Sequence, residues 1–184
     1  MMFSKLFSKL GIINKNQRGM TLVELMLVFT ITGIISSSVT MTFFQVVTGS
    51  VRANNHMTAI SQVQSAGYWI SHDAQLAQDV VFTPPTGFPL ILSWTGWDDK
   101  KHEVTYSLED MAGGLKELQQ SIVVDDEDAV ETVVARFIDP NETNVGPDET
   151  AEGAIILQVS VTVGGGQQAQ LETRVYRIVP RPGS

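Results

Sequence analysis

From Met20 to Val47 the chain is apolar and carries a single charged side chain, Glu24, and this stretch limits what the rest can be. Leu22, Val23, Leu25, Phe29, Ile31 and Ile34 are typical of it. Its polar positions are mainly Ser and Thr, which return a hydrogen bond to their own helix. About 20 helical residues cross a hydrocarbon core, so the stretch is long enough to span a lipid bilayer. The charges before it, Lys5, Lys9, Lys15 and Arg18, are all basic. By the positive-inside rule that end stays in the cytoplasm and the rest lies across the inner membrane. A cleavable secretory signal needs an A-x-A-like site after the apolar run. Ser36, Ser37 and Ser38 are small but bring no Ala, and the helical pattern continues through them.

At 184 residues there is room for one membrane segment and one compact domain. The net charge of −8 is uneven. Without the first nineteen residues, eight basic side chains face twenty acidic ones, a balance of −12. Phosphate binding needs clustered Lys and Arg, so nucleic acid is not an expected partner. The chain has no cysteine, which removes disulfides, thiolate metal sites and thiol nucleophiles together.

The junction reads Lys15-Asn16-Gln17-Arg18-Gly19-Met20-Thr21-Leu22-Val23-Glu24-Leu25. A basic residue, a glycine, four uncharged residues and a glutamate inside an apolar helix resemble the prepilin signal of type IV pilin-like proteins. The resemblance implies cleavage after Gly19 by a membrane-embedded prepilin peptidase, which also methylates the new N-terminus at Met20. That family most often has Phe at this position, so Met20 is a departure. Glu24 becomes the fifth residue, the one that pairs with the amine of its own or a neighbouring subunit and sets assembly register. The chemistry agrees, because an intramembrane carboxylate is costly unless paired. The contrasting reading is that Glu24 only snorkels to the cytoplasmic headgroups.

Past Val47 the helix is expected to continue, with no proline before Pro84. Met57, Ile60, Val63, Gly67, Ile70, Ala74, Ala77 and Val81 fall three or four apart, one stripe of an α-helix. The helix is expected to end near Asp79. Tyr68–Asp79 resembles, as a pattern of residue classes, the corresponding helix of J-type pseudopilins and minor pilins.

Beyond Pro84-Pro85 the period changes to two. Val104, Tyr106 and Leu108 alternate with polar residues, and Ile155, Leu157, Val159, Val161 and Val163 share one face with Gln158, Ser160 and Thr162 on the other. Residues 132–138 also read as a strand. Gly164–Gln168 reads as a turn, and Leu171, Thr173 and Val175 alternate on the way back, a C-terminal hairpin. Loops are expected at Thr83–Pro89, Trp94–Lys101 and Ile138–Gly153. The predicted fold is α+β: a long N-terminal helix, membrane-spanning in its first half, packed on an antiparallel β-sheet. The expected boundaries are a leader at 1–19, a membrane and assembly half at 20–47, an amphipathic half at 48–81, and a β-rich domain at 82–184.

Nothing in the sequence assembles a catalytic constellation, so no enzymatic activity and no catalytic residue are expected. His72–Asp73 reads as a solvated pair, because neighbours on a helix do not face each other. Asp125–Asp128 and Asp139–Asn144 are weighed as calcium loops. The second lacks the glycine and closing glutamate of an EF-hand, and both read better as solvated acidic loops, so no cofactor is expected. Trp94 and Trp97, beside Asp98 and Asp99, read either as packing or as a contact surface for a partner subunit.

The expected function is a structural minor pilin or pseudopilin subunit, assembled with other such subunits on an inner-membrane platform into an extracytoplasmic filament. The type II secretion, type IV pilus and DNA-uptake systems all fit. The alternative is a single-pass membrane-anchored binding protein that never polymerises.

Overall fold

A computed structural model describes residues 19–125, 127–151 and 153–180. The leader residues Lys5, Lys9, Lys15 and Arg18, and Asp126 of the first acidic group, lie outside them. The chain divides into two compact units, Met1–Val46 and Val47–Ser184.

In the first unit, α1 (Leu22–Leu76) begins at a capping box. Thr21 Oγ1 accepts the Glu24 N–H (3.2 Å), and Glu24 Oε2 accepts the Thr21 N–H (2.9 Å) and hydroxyl (3.0 Å). Two helix-terminal donors are thus satisfied reciprocally. The hydroxyls that follow turn back onto the helix: Thr30 donates to Met26 O, Ser38 to Ile34 O, Thr40 to Ser36 O and Thr42 to Ser38 O. That is the condition under which Ser and Thr sit in an apolar helix without unpaired hydroxyls. Residues 19–47 are all exposed.

In the second unit the later part of α1 packs on an eight-stranded antiparallel sheet. The strands are β1 (Asp79–Thr83), β2 (Gly87–Thr95), β3 (Lys101–Asp110), β4 (Lys116–Val124), β5 (Val130–Ile138), β6 (Asn144–Pro147), β7 (Ile155–Val163) and β8 (Gln170–Ile178). Strands β1 to β5 form a meander, β5 and β6 both lie along one side of β7, and β8 pairs its other side. The sheet curls until Val145 N of β6 donates to Thr86 O just before β2.

The helix contributes small residues to the core and the sheet contributes large ones. Ala59, Ala66, Gly67, Ala74 and Ala77 are buried on α1 or just after it, around Val63 and Ile70. Leu90, Leu92, Val104, Leu118 and Leu157 meet them from the sheet. Short helix side chains let the backbone approach, and bulky strand side chains fill the space to native density. The expected stripe is therefore shifted: Met57 is exposed, while Ala59 and Ala66 are buried.

The helix stops at Leu76, short of the expected Asp79. The β2 edge captures the chain there, with Gln78 N donating to Ser93 O and Thr95 N donating to Gln78 Oε1. Val81 thus lies in β1, not on the helix. The Ile138–Gly153 segment, expected as a loop, contains β6. Adjacent Val134 and Ala135 are both buried because the β4–β5 register slips there, and Phe137 takes the left-handed region at φ 62°. Those bulges hide the alternation of β5 from a period-two reading.

The hairpin of β7 and β8 forms as expected, but β8 faces the other way. Leu171, Thr173 and Val175 are exposed, whereas Glu172, Arg174 and Tyr176 are half-buried. The register explains the inversion: Tyr176 pairs with buried Leu157 and Arg174 with buried Val159, and paired residues share a face.

Candidate functional site

The junction is built around Glu24. Its Oε2 is held by the N–H and hydroxyl of Thr21, so a carboxylate in an apolar stretch has local partners in a single chain. Met20 lies one residue before that cap, and Gly19 has open space about it. Glu24, Met20 and Gly19 are all exposed. The helix that follows is long and apolar enough to cross a membrane. A sequence reading finds Glu24 as an isolated charge but overlooks Thr21, although T-x-x-E before an apolar run is the sequence signature of a capping box.

In the second unit the expected solvated pair His72–Asp73 is corrected. Asp73 is only 6% exposed, and His72 alone faces solvent. Tyr106 donates its hydroxyl to Asp73 Oδ2 at 2.6 Å. Gln120 Nε2 donates to the same oxygen at 2.7 Å and to the Tyr106 hydroxyl at 3.0 Å. His72 Nδ1 lies 2.9 Å from Asp73 Oδ1. Burial, then the bond to Asp73, pushes the Tyr106 phenol above its ordinary range, so it stays a protonated donor. The carboxylate turns inward because β3 and β4 present these two donors opposite its helix position. The cluster clasps α1 to the sheet, and every buried polar atom in it has a partner.

Beside it, an open groove of about 390 Å³ runs between α1 and β8, lined by Gln64, Tyr68, Ser71, His72, Arg174 and Tyr176 among others. Tyr176 lies over Gly67 and donates to Val63 O at 3.2 Å.

Of the acidic groups expected in loops, Asp125, Glu127 and Asp128 follow β4 and residues 139–143 follow β5, whereas Asn144 opens β6. Asp125 Oδ1 accepts the Lys101 N–H at 2.8 Å, and Asp139 Oδ1 accepts the Asn141 N–H at 3.0 Å. The second is an ordinary turn bond, and the first ties the β4–β5 loop to the start of β3. Among the described residues no three His, Asp or Glu side chains come together in a metal-holding group.

A third acid is held more firmly. Asp148 Oδ1 accepts the Thr150 hydroxyl (2.6 Å) and N–H (2.8 Å), and Oδ2 lies 2.7 Å from Arg177 Nε. The Thr150 hydroxyl, then its N–H, with the Arg177 charge adding, hold this carboxyl below the usual aspartate range. A lowered native pKa contributes stability above the unfolded value of about 3.9 and loses it as pH falls through the native value. Below about pH 4 the loop after β6 is expected to loosen from β8, read as faster amide exchange at Thr150 and Ala151. In Asp148→Asn that acid step should vanish; an unchanged step would assign it to another group.

An apolar helix opening on a capped carboxylate, and an antiparallel sheet packed on the same helix further along, define an α+β protein of pilin-like architecture with a membrane-anchoring N-terminal segment. A family model described as the prokaryotic N-terminal methylation motif matches residues 14–40. The match places the methylation motif of type IV pilin-like prepilins at the start of this chain and supports a subunit of pilin or pseudopilin type. That motif belongs to structural subunits and implies processing by prepilin peptidase and assembly with other pilins. No curated protein and no solved structure matches the chain.

Proposed function

We propose that this chain is a minor pilin or pseudopilin subunit, cleaved between Gly19 and Met20, methylated at Met20, and built into a filament through Glu24. The observation that carries this reading is the junction: the methylation motif ends in a helix whose residues through Val47 are all exposed. That apolar surface needs lipid first and neighbouring helices later, since each exchange keeps it away from water. Glu24 suits both states. In the single subunit Oε2 is occupied by Thr21, which offsets part of its desolvation. Cleavage would create a cationic amine one residue before that cap, and a second such amine would arrive with each incoming subunit. A cation and a carboxylate paired at low dielectric attract strongly enough to select register.

The minor or tip position is supported by the class pattern over Tyr68–Asp79 and by the cysteine-free chain. An inner-membrane assembly platform is the partner this role requires, with the N-terminus cytoplasmic and the β domain extracytoplasmic.

Mass spectrometry of the membrane-extracted protein tests the processing. The expected N-terminus is N-methylated Met20, and an unmodified Met1 in cells with an active prepilin peptidase would overturn the reading. Glu24→Ala should lower filament incorporation by ~10-fold or more, since ~1.4 kcal/mol is tenfold. Undiminished assembly would leave Glu24 as a helix cap alone and favour an anchored binding protein.

A further inference from the structure

We propose that the tip of the β2–β3 hairpin is a docking knob for a different protein, one presenting an apolar pocket rimmed by Lys or Arg. This goes beyond assembly through the N-terminal helix and does not depend on it. Trp97 is 99% exposed, more than any other large apolar side chain among the described residues. Tryptophan is the residue type that most often anchors an interface when it enters a pocket.

The tip that holds it is tied at several points. Gly96 N donates to Lys100 O at 2.8 Å and Asp99 N to Gly96 O at 3.2 Å, with Asp99 in the left-handed region at φ 61°. Just below, the rings of Trp94 and His102 stack at 5.3 Å and 5°. The β4–β5 loop is fastened alongside, since Asp125 N donates to Lys101 O and Lys101 N to Asp125 Oδ1. A held knob loses less freedom on docking than a loose loop does.

Charge selects the occupant. Asp98, Asp99, Asp125, Glu127 and Asp128 are exposed at this end of the sheet, with Lys100 and Lys101 as the local cations. An acidic rim disfavours an anionic lipid surface and favours a basic one on a protein. A second copy of this chain is a poor match. Lys101, Lys116, Arg136, Arg174 and Arg177 each lie within 4 Å of one of the chain's own carboxylates. Like-charged acidic domains also repel.

The test places the photoreactive residue p-benzoylphenylalanine at position 97 of the full-length chain, in the cells that make it. That substitution keeps an aromatic group on the tip. The expected result is one discrete adduct with a different protein, joined at a peptide that carries Lys or Arg. Adding Glu127→Lys and Asp128→Lys, both exposed loop positions, should lower its yield by ~10-fold, about 1.4 kcal/mol of coupling. Circular dichroism would verify that the charge-reversed chain is folded. An adduct with a second copy or with lipid would overturn the proposal. So would a yield insensitive to the charge reversal, or none above that of the same probe at exposed Glu149.

Discussion

Asp73→Ala is expected to destabilise the sheet-bearing part of the protein by about 2–5 kcal/mol, because two buried donors lose their shared acceptor. The Tyr106 hydroxyl and the Gln120 amide would keep each other but lose their shared acceptor. Each buried donor left without a partner costs ~1–3 kcal/mol, and the vacated volume adds to that. Asp73→Asn should cost far less. Its oxygen can face Tyr106 and Gln120, while its amide faces His72 Nδ1 as an acceptor. Replacing the whole cluster (Asp73→Leu, Tyr106→Phe and Gln120→Met together) should recover much of the loss, because no polar group then remains unpaired. Urea unfolding of the full-length protein in detergent, followed by near-ultraviolet circular dichroism, measures all three. A cost for Asp73→Ala below about 1 kcal/mol would mean that water replaces the carboxylate and that the clasp is not structural.

Gly67→Ala carries the second large effect, and its sign runs against helix propensity. In an exposed helix the change would stabilise by ~1 kcal/mol. Here a Cβ at position 67 would overlap the hydroxyl end of the Tyr176 ring, so the ring must leave its seat and give up its bond to Val63 O. Overpacking of this kind costs ~1–3 kcal/mol before the propensity gain. A net loss of about 1–2 kcal/mol is expected, and Gly67→Val should lose more. In Gly67→Ala combined with Tyr176→Ala the clash is absent, so the two losses should be strongly non-additive. Thermal unfolding of the four proteins closes that cycle, and strict additivity would show that the ring and the glycine are energetically independent.

Local chemistry made the first part of this protein legible without coordinates. A span of apolar residues needs no tertiary partner to declare itself, because its length is set against a bilayer and its charges against the positive-inside rule. The methylation motif over residues 14–40 is likewise a local string, and so is the alternation of β7, which is buried on one face along its whole length. The inward face of β8 was not readable from alternation alone. Leu171 and Val175 look like core residues until the register places Tyr176 beside Leu157 and over Gly67. The β6 strand is four residues long, too short for a period to appear, and it exists because the sheet curls to meet it.

The apolar anchor, the methylation motif and the alternation of the strands all depend on residues near one another along the chain, so they can be read from it directly. What Asp73 and Gly67 are for emerges from the folded arrangement alone. Asp73 reads as a solvated acid on a helix until Tyr106 and Gln120 arrive from strands 33 and 47 residues away. Gly67 reads as a helix breaker until Tyr176 lies across it. Both roles come from groups distant in sequence, and a carboxylate or a missing Cβ acquires its energetic sign from what is packed against it.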